Sequence, residues 1–410
     1  MSAGMQVRSQ GGQAWAARPE VTPVPTAPAT VVILGLSQAA TEIYGRPLLE
    51  RILLNCQRAG ISRFVVDCDP NKRGLMREAA GQFAADPGLL LVEIGKNGVP
   101  GLPANTACVM VCGNLVFAAS HLARLLALQR AQPGQVVALA VGAGAAEAQL
   151  CAGPLTDLLD RRHATSHRPG SIGADLPYAM DGRESKSEAE LRLARAMRLE
   201  TAHTDGFMAR WLDRRLSWRI SRRLAATPIT PNQVTWFNTA LGLLIATLVA
   251  STSYWYRVGG GLLLLVSVTL DGVDGELARL KMTESEAGRR LDVLTDNLVE
   301  VAIFIGLLVG CYRGSGNQAY FYLLAILLGG FGFCAISVNR AVSLSKEQFK
   351  RWIELVERVA GRDFAYLIFV LALLNGFSWF AWGTAFGTWI FAGGLWILTS
   401  LKLRCAKVED

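Results

Sequence analysis

The sequence predicts a soluble α/β N-terminal domain followed by an all-α polytopic membrane domain with six transmembrane helices and an amphipathic interfacial helix. Three observations predict this architecture. Short β-branched runs alternate with helical patterns in the first part of the chain, which is typical of a layered, largely parallel sheet. Apolar runs of about 20 residues fill the last part. Lys and Arg are divided very unevenly between the connections of those runs.

The composition indicates a chain that buries much of its surface in a core or in lipid. The 410 residues are 51% hydrophobic and 18% charged, whereas a soluble domain usually carries about 25% charged residues. This composition excludes an intrinsically disordered chain. The eight cysteines form no CxxC pair and have no histidine cluster beside them, which argues against a zinc site and favours a reducing compartment.

The α/β domain is predicted over residues 31–150, after a flexible tail at residues 1–30 that is rich in Ala, Pro and Gly. The predicted strands are 31–36, 63–69, 89–95, 107–114 and 135–141. Helical patterns at 47–61 and 120–131 lie between several of these strands. The repeated order of strand, helix and strand predicts the layered sheet.

Residues 151–205 are mostly polar and are predicted to be a linker to the membrane domain, which covers residues 206–410. The membrane domain begins with a basic amphipathic segment, 206–232, in which Trp211 and Leu216 belong to an apolar stripe surrounded by arginines. Such a helix lies naturally at a membrane interface. A helix that binds nucleic acid or a protein partner is the alternative, and the apolar runs that follow favour the membrane.

Six membrane spans are predicted at 233–254, 258–280, 291–312, 319–341, 364–377 and 380–401. One side of these spans carries nearly all Lys and Arg residues of the connections, and the other side carries only Arg257 and Arg313. The positive-inside rule then predicts a multi-pass plasma (inner) membrane protein with both termini in the cytoplasm. The net charge of +8 therefore reflects topology, and we expect no nucleic-acid partner.

Four aspartates break the apolar pattern at the end of the second span and the start of the third. Asp271 and Asp274 are three residues apart and Asp292 and Asp296 are four apart, so each pair lies on one face of its helix. Four carboxylates at membrane depth repel each other and are costly to bury, which bound cations would offset. Oxygen ligands suit Mg²⁺ or Mn²⁺, and we expect two ions, as in phosphoryl chemistry. Simple ion pairing with nearby arginines is the alternative, and it accounts poorly for four acids.

The spacing of these acids resembles the motif of the CDP-alcohol phosphotransferase family. The matched positions are Asp271, Asp274, Gly275, Ala278, Arg279, Gly288, Asp292 and Asp296. The resemblance implies the family's fold, a divalent metal, and transfer of the substituted phosphate of a CDP-alcohol to a hydroxyl acceptor with release of CMP. It also implies that Asp271, Asp274 and Asp292 bind metal, and that Asp296 deprotonates the acceptor and also touches metal.

The same resemblance implies a binding site for the CDP group. Its residues would be Asp274, Gly275, Ala278, Arg279, Gly288, Pro231, Asn232 and Thr235. Small residues allow a flat base or a backbone to approach closely, and Arg279 can donate two hydrogen bonds to phosphate oxygens. Pro231 and Asn232 also suit the start of a helix for purely local reasons.

The predicted α/β domain resembles nucleotidyltransferases through its first strand and the segments 45–61 and 63–69. Its fusion to the membrane domain resembles bifunctional inositol-phosphate cytidylyltransferase and di-inositol-phosphate-phosphate synthase proteins. Active members carry a Gly-rich basic loop after the first strand and a later acid that holds metal. Here the loop, 34–47, has the isolated Gly35, and Asn114 stands in place of the acid. We therefore expect a degenerate domain that acts as a scaffold or regulator.

The expected protein is an integral membrane transferase whose partners are a CDP-alcohol donor, a hydroxyl acceptor and membrane lipids, and which forms a homodimer through its membrane domain. The donor is either CDP-diacylglycerol or a CDP-polyol. The acceptor is a polyol or a polyol phosphate, and Arg289, Arg290 and Arg340 are predicted to hold its phosphate. The alternatives are a bifunctional enzyme that also makes the CDP-alcohol, an ion-coupled transporter, and a non-catalytic membrane anchor.

Overall fold

The computed structural model describes residues 30–35, 37–94, 99–103, 105–139, 150–159, 165–167, 176–180, 185–201, 214–344 and 363–409. Nearly all of the predicted tail and residues 206–213 of the predicted interfacial helix lie outside these ranges. The described chain has an α/β N-terminal region and a helical C-terminal region, as predicted.

The N-terminal region is built on a mixed sheet. Its strands are β1 (Thr30–Leu34), β2 (Glu42–Ile43), β3 (Arg46–Pro47), β4 (Arg63–Asp67), β5 (Leu89–Val92), β6 (Ala107–Cys112), β7 (Leu115–Val116), β8 (Val137–Leu139), β9 (Leu150–Pro154), β10 (Thr165–His167) and β11 (Tyr178–Ala179). Seven of them form one sheet in the order β10-β8-β9-β6-β1-β4-β5. The central strand β1 pairs in parallel with β4 and β6, so the predicted parallel core is confirmed. The pairs β2–β3 and β7–β11 form two separate antiparallel two-stranded sheets, of which β2–β3 is a hairpin.

The sheet extends beyond the boundary predicted at residue 150. Strand β9 lies between β6 and β8 and runs antiparallel to both. Its residues Leu150, Cys151 and Ala152 are buried in the sheet, although the short run LCAGP has no alternating pattern that would mark it as a strand. The described parts of the segment 151–205, predicted as a linker, therefore contribute strands and helices to the fold.

The helices of this region flank the sheet. They are α1 (Leu48–Arg58), α2 (Arg73–Ala79), α3 (Ala119–Ala131), α4 (Leu155–Leu159) and α5 (Ser185–Thr201). Helix α1 begins directly after the β2–β3 hairpin, and its residues Leu49, Ile52 and Leu53 are buried in the main core. The chain from Glu42 to Arg58 is thus one connected unit made of the hairpin and α1.

The C-terminal region is helical throughout its described part. Its helices are α6 (Arg214–Ala225), α7 (Pro231–Val249), α8 (Tyr254–Lys281), α9 (Glu286–Ser315), α10 (Ala319–Leu344), α11 (Asp363–Leu373) and α12 (Phe377–Glu409). Within the described residues, four helices are long and apolar enough to cross a membrane: α8, α9, α10 and α12.

The prediction of six spans is therefore supported for four helices. Helix α7 covers the predicted first span and is not among those four. Helix α11 has 11 residues where the fifth span was predicted at 364–377. Because an α-helix rises about 1.5 Å per residue, these 11 residues cover about half of a hydrocarbon core of about 30 Å, and the residues directly before Asp363 lie outside the described ranges.

Local sequence explains where the helices around the acids begin and end. Thr230 and Gln233 form a capping box at the start of α7, with Pro231 in the first turn. Helix α8 ends at Lys281, and the next residue, Met282, adopts a left-handed conformation with φ of 54°. The Ser285 hydroxyl accepts a hydrogen bond from the Gly288 N–H at 3.0 Å and caps the start of α9. The short turn between α8 and α9 therefore brings the end of one helix beside the start of the next.

Two apolar cores organise the helical region. One lies among the spans and includes Phe304 of α9 and Phe380 of α12. The other is continuous with the core of the α/β region, because it contains Leu53 of α1, Trp218 of α6 and Leu277 of α8. The α/β region is therefore packed on the helices that carry the aspartates, through side chains as well as through the chain connection.

Candidate active site

Three of the four predicted aspartates converge between α8 and α9. Asp271, Asp292 and Asp296 each offer one carboxylate oxygen, and these atoms all lie within 4.8 Å of one another. All three residues are half-buried. The convergence arises because α8 and α9 are joined by a short turn, which places the end of α8 beside the beginning of α9.

The fourth aspartate is held beside this trio by the neighbouring helix. Asp274 is 7% exposed, and its carboxylate accepts hydrogen bonds from the Thr235 hydroxyl at 2.5 Å and from the Gly275 N–H at 2.6 Å. It also interacts with the side chain of Asp292. Thr235 thereby links α7 to the acidic cluster.

The start of α7 also lies close to the start of α9. The side-chain oxygen of Asn232 would lie 3.5 Å from a Cβ atom placed on Gly288. The lack of a side chain on Gly288 therefore lets the start of α9 lie close to Asn232, and Thr235 follows one turn later along α7, next to Asp274. Pro231 occupies the first turn of the same helix. The two segments of the predicted CDP site are neighbours in space.

The remaining predicted CDP contacts lie at the end of α8. Gly275, Ala278 and Arg279 are all half-buried, so each retains some accessible surface. The Ala278 carbonyl accepts a hydrogen bond from the Thr283 N–H at 2.9 Å, which closes the last turn of the helix. Gly275 and Ala278 lie between Asp271 and Arg279, and their small size leaves the helix backbone accessible there.

The arginines predicted to hold an acceptor phosphate differ in their surroundings. Arg289 and Arg290 lie in the first turns of α9, are exposed, and both pair with Glu286, at 2.6 Å and 3.1 Å. Arg340 instead packs on α12: its guanidinium lies 4.1 Å from the ring centroid of Trp396. It also donates a long hydrogen bond of 3.4 Å to Ser400.

The donor set fits hard divalent cations. Carboxylate oxygens are the ligands that Mg²⁺ and Mn²⁺ prefer. In an octahedral Mg²⁺ site the ligand oxygens lie about 2.1 Å from the ion and hence about 3 to 4.2 Å from one another. The three oxygens of Asp271, Asp292 and Asp296 lie within 4.8 Å of one another, which is close to the upper end of these separations.

Comparison with known families gives this arrangement a context. Residues 228–396 match the family model described as CDP-alcohol phosphatidyltransferase, and this range contains all four aspartates. The protein therefore carries a CDP-alcohol phosphatidyltransferase domain. The match begins three residues before Pro231 and ends within α12.

Individual relatives of this chain carry several names. It is 35% identical over 166 residues to a "Bifunctional IPC transferase and DIPP synthase" of Thermococcus kodakarensis, covering 39% of this chain and 34% of the relative. It is 38% identical over 94 residues to an "Archaetidylinositol phosphate synthase" of Pyrococcus horikoshii, covering 22% and 47%. It is 30% identical over 129 residues to a "Phosphatidylinositol phosphate synthase" of Cutibacterium acnes, covering 31% and 61%. The matches to the bifunctional relatives thus span about a third or less of those proteins.

One buried acid of the CDP-alcohol phosphatidyltransferase domain was absent from the prediction. Glu276 of α8 is fully buried, and its two carboxylate oxygens accept hydrogen bonds from Ser217 at 2.8 Å and from Ser221 at 2.7 Å, both on α6. The pair of serines four residues apart on α6 was the available signal, since it places two hydroxyl groups on one face. Glu276 thus attaches the basic helix to the helix that bears Asp271 and Asp274.

The predicted nucleotide loop of the α/β region also makes contacts that were not anticipated. Gly35 has a φ of 69°, and the chain then forms the β2–β3 hairpin. Burial raises the pKa of Tyr44 to about 12, so its hydroxyl is protonated and donates to the Glu190 carbonyl at 2.7 Å. Asn114 donates to the Met180 carbonyl at 3.3 Å. In the described part of the loop, residues 42–47 are thus engaged in contacts within the protein.

Proposed function

We propose that this protein is a membrane CDP-alcohol phosphotransferase, which moves the substituted phosphate of a CDP-alcohol to a hydroxyl acceptor and releases CMP. The observation that carries the proposal is the convergence of Asp271, Asp292 and Asp296 within 4.8 Å, inside a domain of that family. The candidate spans α8 and α9 that bear these acids support a site embedded in a membrane.

In this proposal the four aspartates have different roles. Asp271, Asp274 and Asp292 hold the divalent cation or cations, with Asp296 also in contact. When bound, Mg²⁺ or Mn²⁺ supplies positive charge that neutralises the diphosphate of the donor. Thr235 fixes the orientation of Asp274 through its hydrogen bond, so that Asp274 presents its remaining lone pairs to the site.

The transfer itself needs a base next to the acceptor. Asp296 accepts the proton of the acceptor hydroxyl, because an alcohol is a poor nucleophile until it loses that proton. The acceptor oxygen then forms a bond to the phosphorus that bears the donor alcohol. The bond between that phosphorus and the bridging oxygen breaks, and CMP leaves with the electron pair. The products are a phosphodiester and CMP, and the proton is passed on to solvent.

The CDP group is placed against the starts of α7 and α9. Pro231 and Asn232 lie there, and Gly288 adds no side chain beside Asn232. Gly275 and Ala278 are small enough for the CDP group to approach the α8 backbone closely, and Arg279 is assigned to the diphosphate. These assignments are supported by the neighbouring positions of the residues and by the chemistry of each group.

The acceptor is proposed to be a polyol phosphate, and the names of two lipid-synthase relatives favour an inositol phosphate. Arg289 and Arg290 lie exposed on the first turns of α9, three and two residues before Asp292. The guanidinium of Arg340 has five N–H donors, so its contact with Ser400 leaves further donors that can bind phosphate. The donor is CDP-diacylglycerol or a CDP-polyol.

The membrane arrangement follows from the same reasoning. We propose six spans in a plasma (inner) membrane, with α7 and α11 completing the four long helices, and with both termini and the acids on the cytoplasmic side. The distribution of Lys and Arg supports this orientation. We also propose contacts with membrane lipids and a homodimer formed through the membrane domain.

A second activity is suggested by the bifunctional relatives, whose names include a transferase as well as a synthase. The α/β region would then make the CDP-alcohol from CTP and a polyol phosphate. The isolated Gly35 and the neutral Asn114 argue against this activity, because a triphosphate and its cation need backbone donors and a charged ligand. We propose that the α/β region makes no CDP-alcohol.

The decisive experiment is CMP release by the purified full-length protein with Mn²⁺ or Mg²⁺. CDP-diacylglycerol, CDP-inositol and CDP-glycerol serve as donors, and inositol, inositol phosphate and glycerol phosphate serve as acceptors. We expect acceptor-dependent CMP release that stops on chelation of the metal. An absence of CMP release from every pair would refute the proposed transferase and leave the transporter as the alternative. CTP with inositol phosphate should give no pyrophosphate.

A further inference from the structure

The turn between α8 and α9 is held from outside the membrane domain. Residues 282–285 join the helix that bears Asp271 and Asp274 to the helix that bears Asp292 and Asp296. The last carbonyl groups of a helix have no partner within the helix and must be satisfied from elsewhere. At the end of α8 the carbonyl groups of Leu280 and Lys281 find these partners in the α/β region.

Two arginines of the α/β region reach the end of α8. The Arg51 guanidinium donates to the Leu280 carbonyl at 2.7 Å and to the Ile43 carbonyl of the β2–β3 hairpin at 3.2 Å. The Arg46 guanidinium donates to the Lys281 carbonyl at 2.7 Å. Burial lowers the pKa of Arg51 to about 10, so its side chain remains positively charged at neutral pH. Positive charge at a helix C-terminus also interacts favourably with the helix dipole.

A third arginine holds the other end of the turn. Arg58, the last residue of α1, forms an ion pair with Glu284 at 2.9 Å, and both side chains are mostly buried. Glu284 directly precedes Ser285, which caps the start of α9. Helix α1 and the residues before it therefore contact the turn at its beginning and at its end.

The turn is also packed against the α/β region by apolar side chains. Met282 has a φ of 54°, which is an unfavourable conformation for a residue other than glycine. Its side chain is 6% exposed and belongs to the core that contains Ile43 and Leu54. The surrounding contacts thus keep Met282 in this conformation.

The geometry of the acidic cluster depends on this turn. Sliding α9 by one residue along its axis displaces a side chain by about 1.5 Å and rotates it by about 100°. Such a shift would separate Asp292 and Asp296 from Asp271. Holding the two ends of the turn fixes the relative register of α8 and α9.

We propose that the α/β region is a positioning clamp for the metal-binding helices: Arg46, Arg51 and Arg58 hold the α8–α9 turn so that the carboxylates of the two helices stay in register. The proposal rests on the proposed function for its effect on turnover, whereas its effect on the turn is independent of that function. The hairpin lies within the segment 34–47, where the nucleotide loop was predicted, and Tyr44 anchors it to Glu190 of α5 through its N–H at 3.1 Å. In this chain the hairpin therefore helps to dock the α/β region on the α8–α9 turn.

The test exchanges the charges of the Arg58–Glu284 pair, which is less buried than Arg51 and is more easily replaced without loss of folding. The variants are Arg58→Glu, Glu284→Arg and the double exchange, all in the full-length protein. Arg77→Glu, at an exposed position of α2 in the same region, is the matched control. Hydrogen exchange of peptides that cover the turn, Mn²⁺ affinity by electron paramagnetic resonance, and CMP release are measured for each.

We expect each single variant to speed hydrogen exchange in the turn by at least about fivefold, and to lower Mn²⁺ affinity and kcat by about tenfold, as for the loss of one charge-assisted contact. The double exchange should restore all three to within about threefold of the wild type. Faster hydrogen exchange in the turn with unchanged Mn²⁺ affinity would overturn the proposed clamp. Hydrogen exchange that the single variants leave unchanged would overturn it as well. If the wild type releases no CMP from any donor, the proposed transferase fails, and hydrogen exchange and Mn²⁺ affinity still decide the clamp.

Discussion

Replacing Ser217 and Ser221 together by alanine should release α6 from α8. The two hydroxyl groups donate to the fully buried Glu276 at 2.8 Å and 2.7 Å. Hydrogen bonds to charged groups contribute about 1.5–3 kcal/mol each, so two would contribute about 3–6 kcal/mol if they were additive. Because the two bonds share one carboxylate, we expect the lower half of that range. The higher helix propensity of alanine adds back about 0.5 kcal/mol of unfolding free energy at each site.

The expected result is a fall of about 2–3.5 kcal/mol in the free energy of unfolding, the difference between those contributions. It is measured by titrating SDS into mixed micelles and following tryptophan fluorescence, since Trp218 lies in the same core. The single variants should each show a smaller loss, and Ser62→Ala, at an exposed position, should show none. A double variant as stable as the wild type would refute the assigned role of Glu276.

Three further predictions address the site and its orientation. Thr235→Val keeps the side-chain shape and removes the hydrogen bond to Asp274, and it should lower kcat/KM by about tenfold or more; unchanged steady-state kinetics of CMP release would contradict this role. Arg340→Lys keeps the charge but loses the planar group that stacks on Trp396, and it should raise the acceptor KM by roughly tenfold with little change in donor KM; an equal rise in both constants would place Arg340 on the diphosphate. Tags at both termini should be protected from an external protease in intact cells and a tag beside Arg313 should be cleaved, whereas opposite outcomes for the two termini would mean an odd number of spans.

The positions of the acids could be predicted because their pattern is local. Spacings of three and four residues place side chains on one helix face whatever the rest of the chain does. The approach of α8 to α9 was equally accessible, since a short connection makes neighbouring helices antiparallel. Strands β1, β4 and β6 carry β-branched runs long enough to be recognised.

The features that were missed depend on contacts between distant parts of the chain. Arg51 and Leu280 are separated by 229 residues, and nothing in the neighbourhood of either indicates the other. Strand β9 is placed by its two neighbours in the sheet and not by its own short, irregular sequence.

The central claim is that Asp271 belongs to a metal site and that Asp296 deprotonates the acceptor. The most direct measurement compares Asp271→Asn with Asp296→Asn for CMP release at saturating Mn²⁺ and for equilibrium binding of Mn²⁺ and the CDP-alcohol donor. We predict that both variants lose CMP release by a factor of about 10² or more. Asp271→Asn should also lose most of its Mn²⁺ binding, whereas Asp296→Asn should keep most of it, because three carboxylates remain around the ion, and should bind the donor nearly as well as the wild type. Near wild-type turnover in either variant would contradict the account.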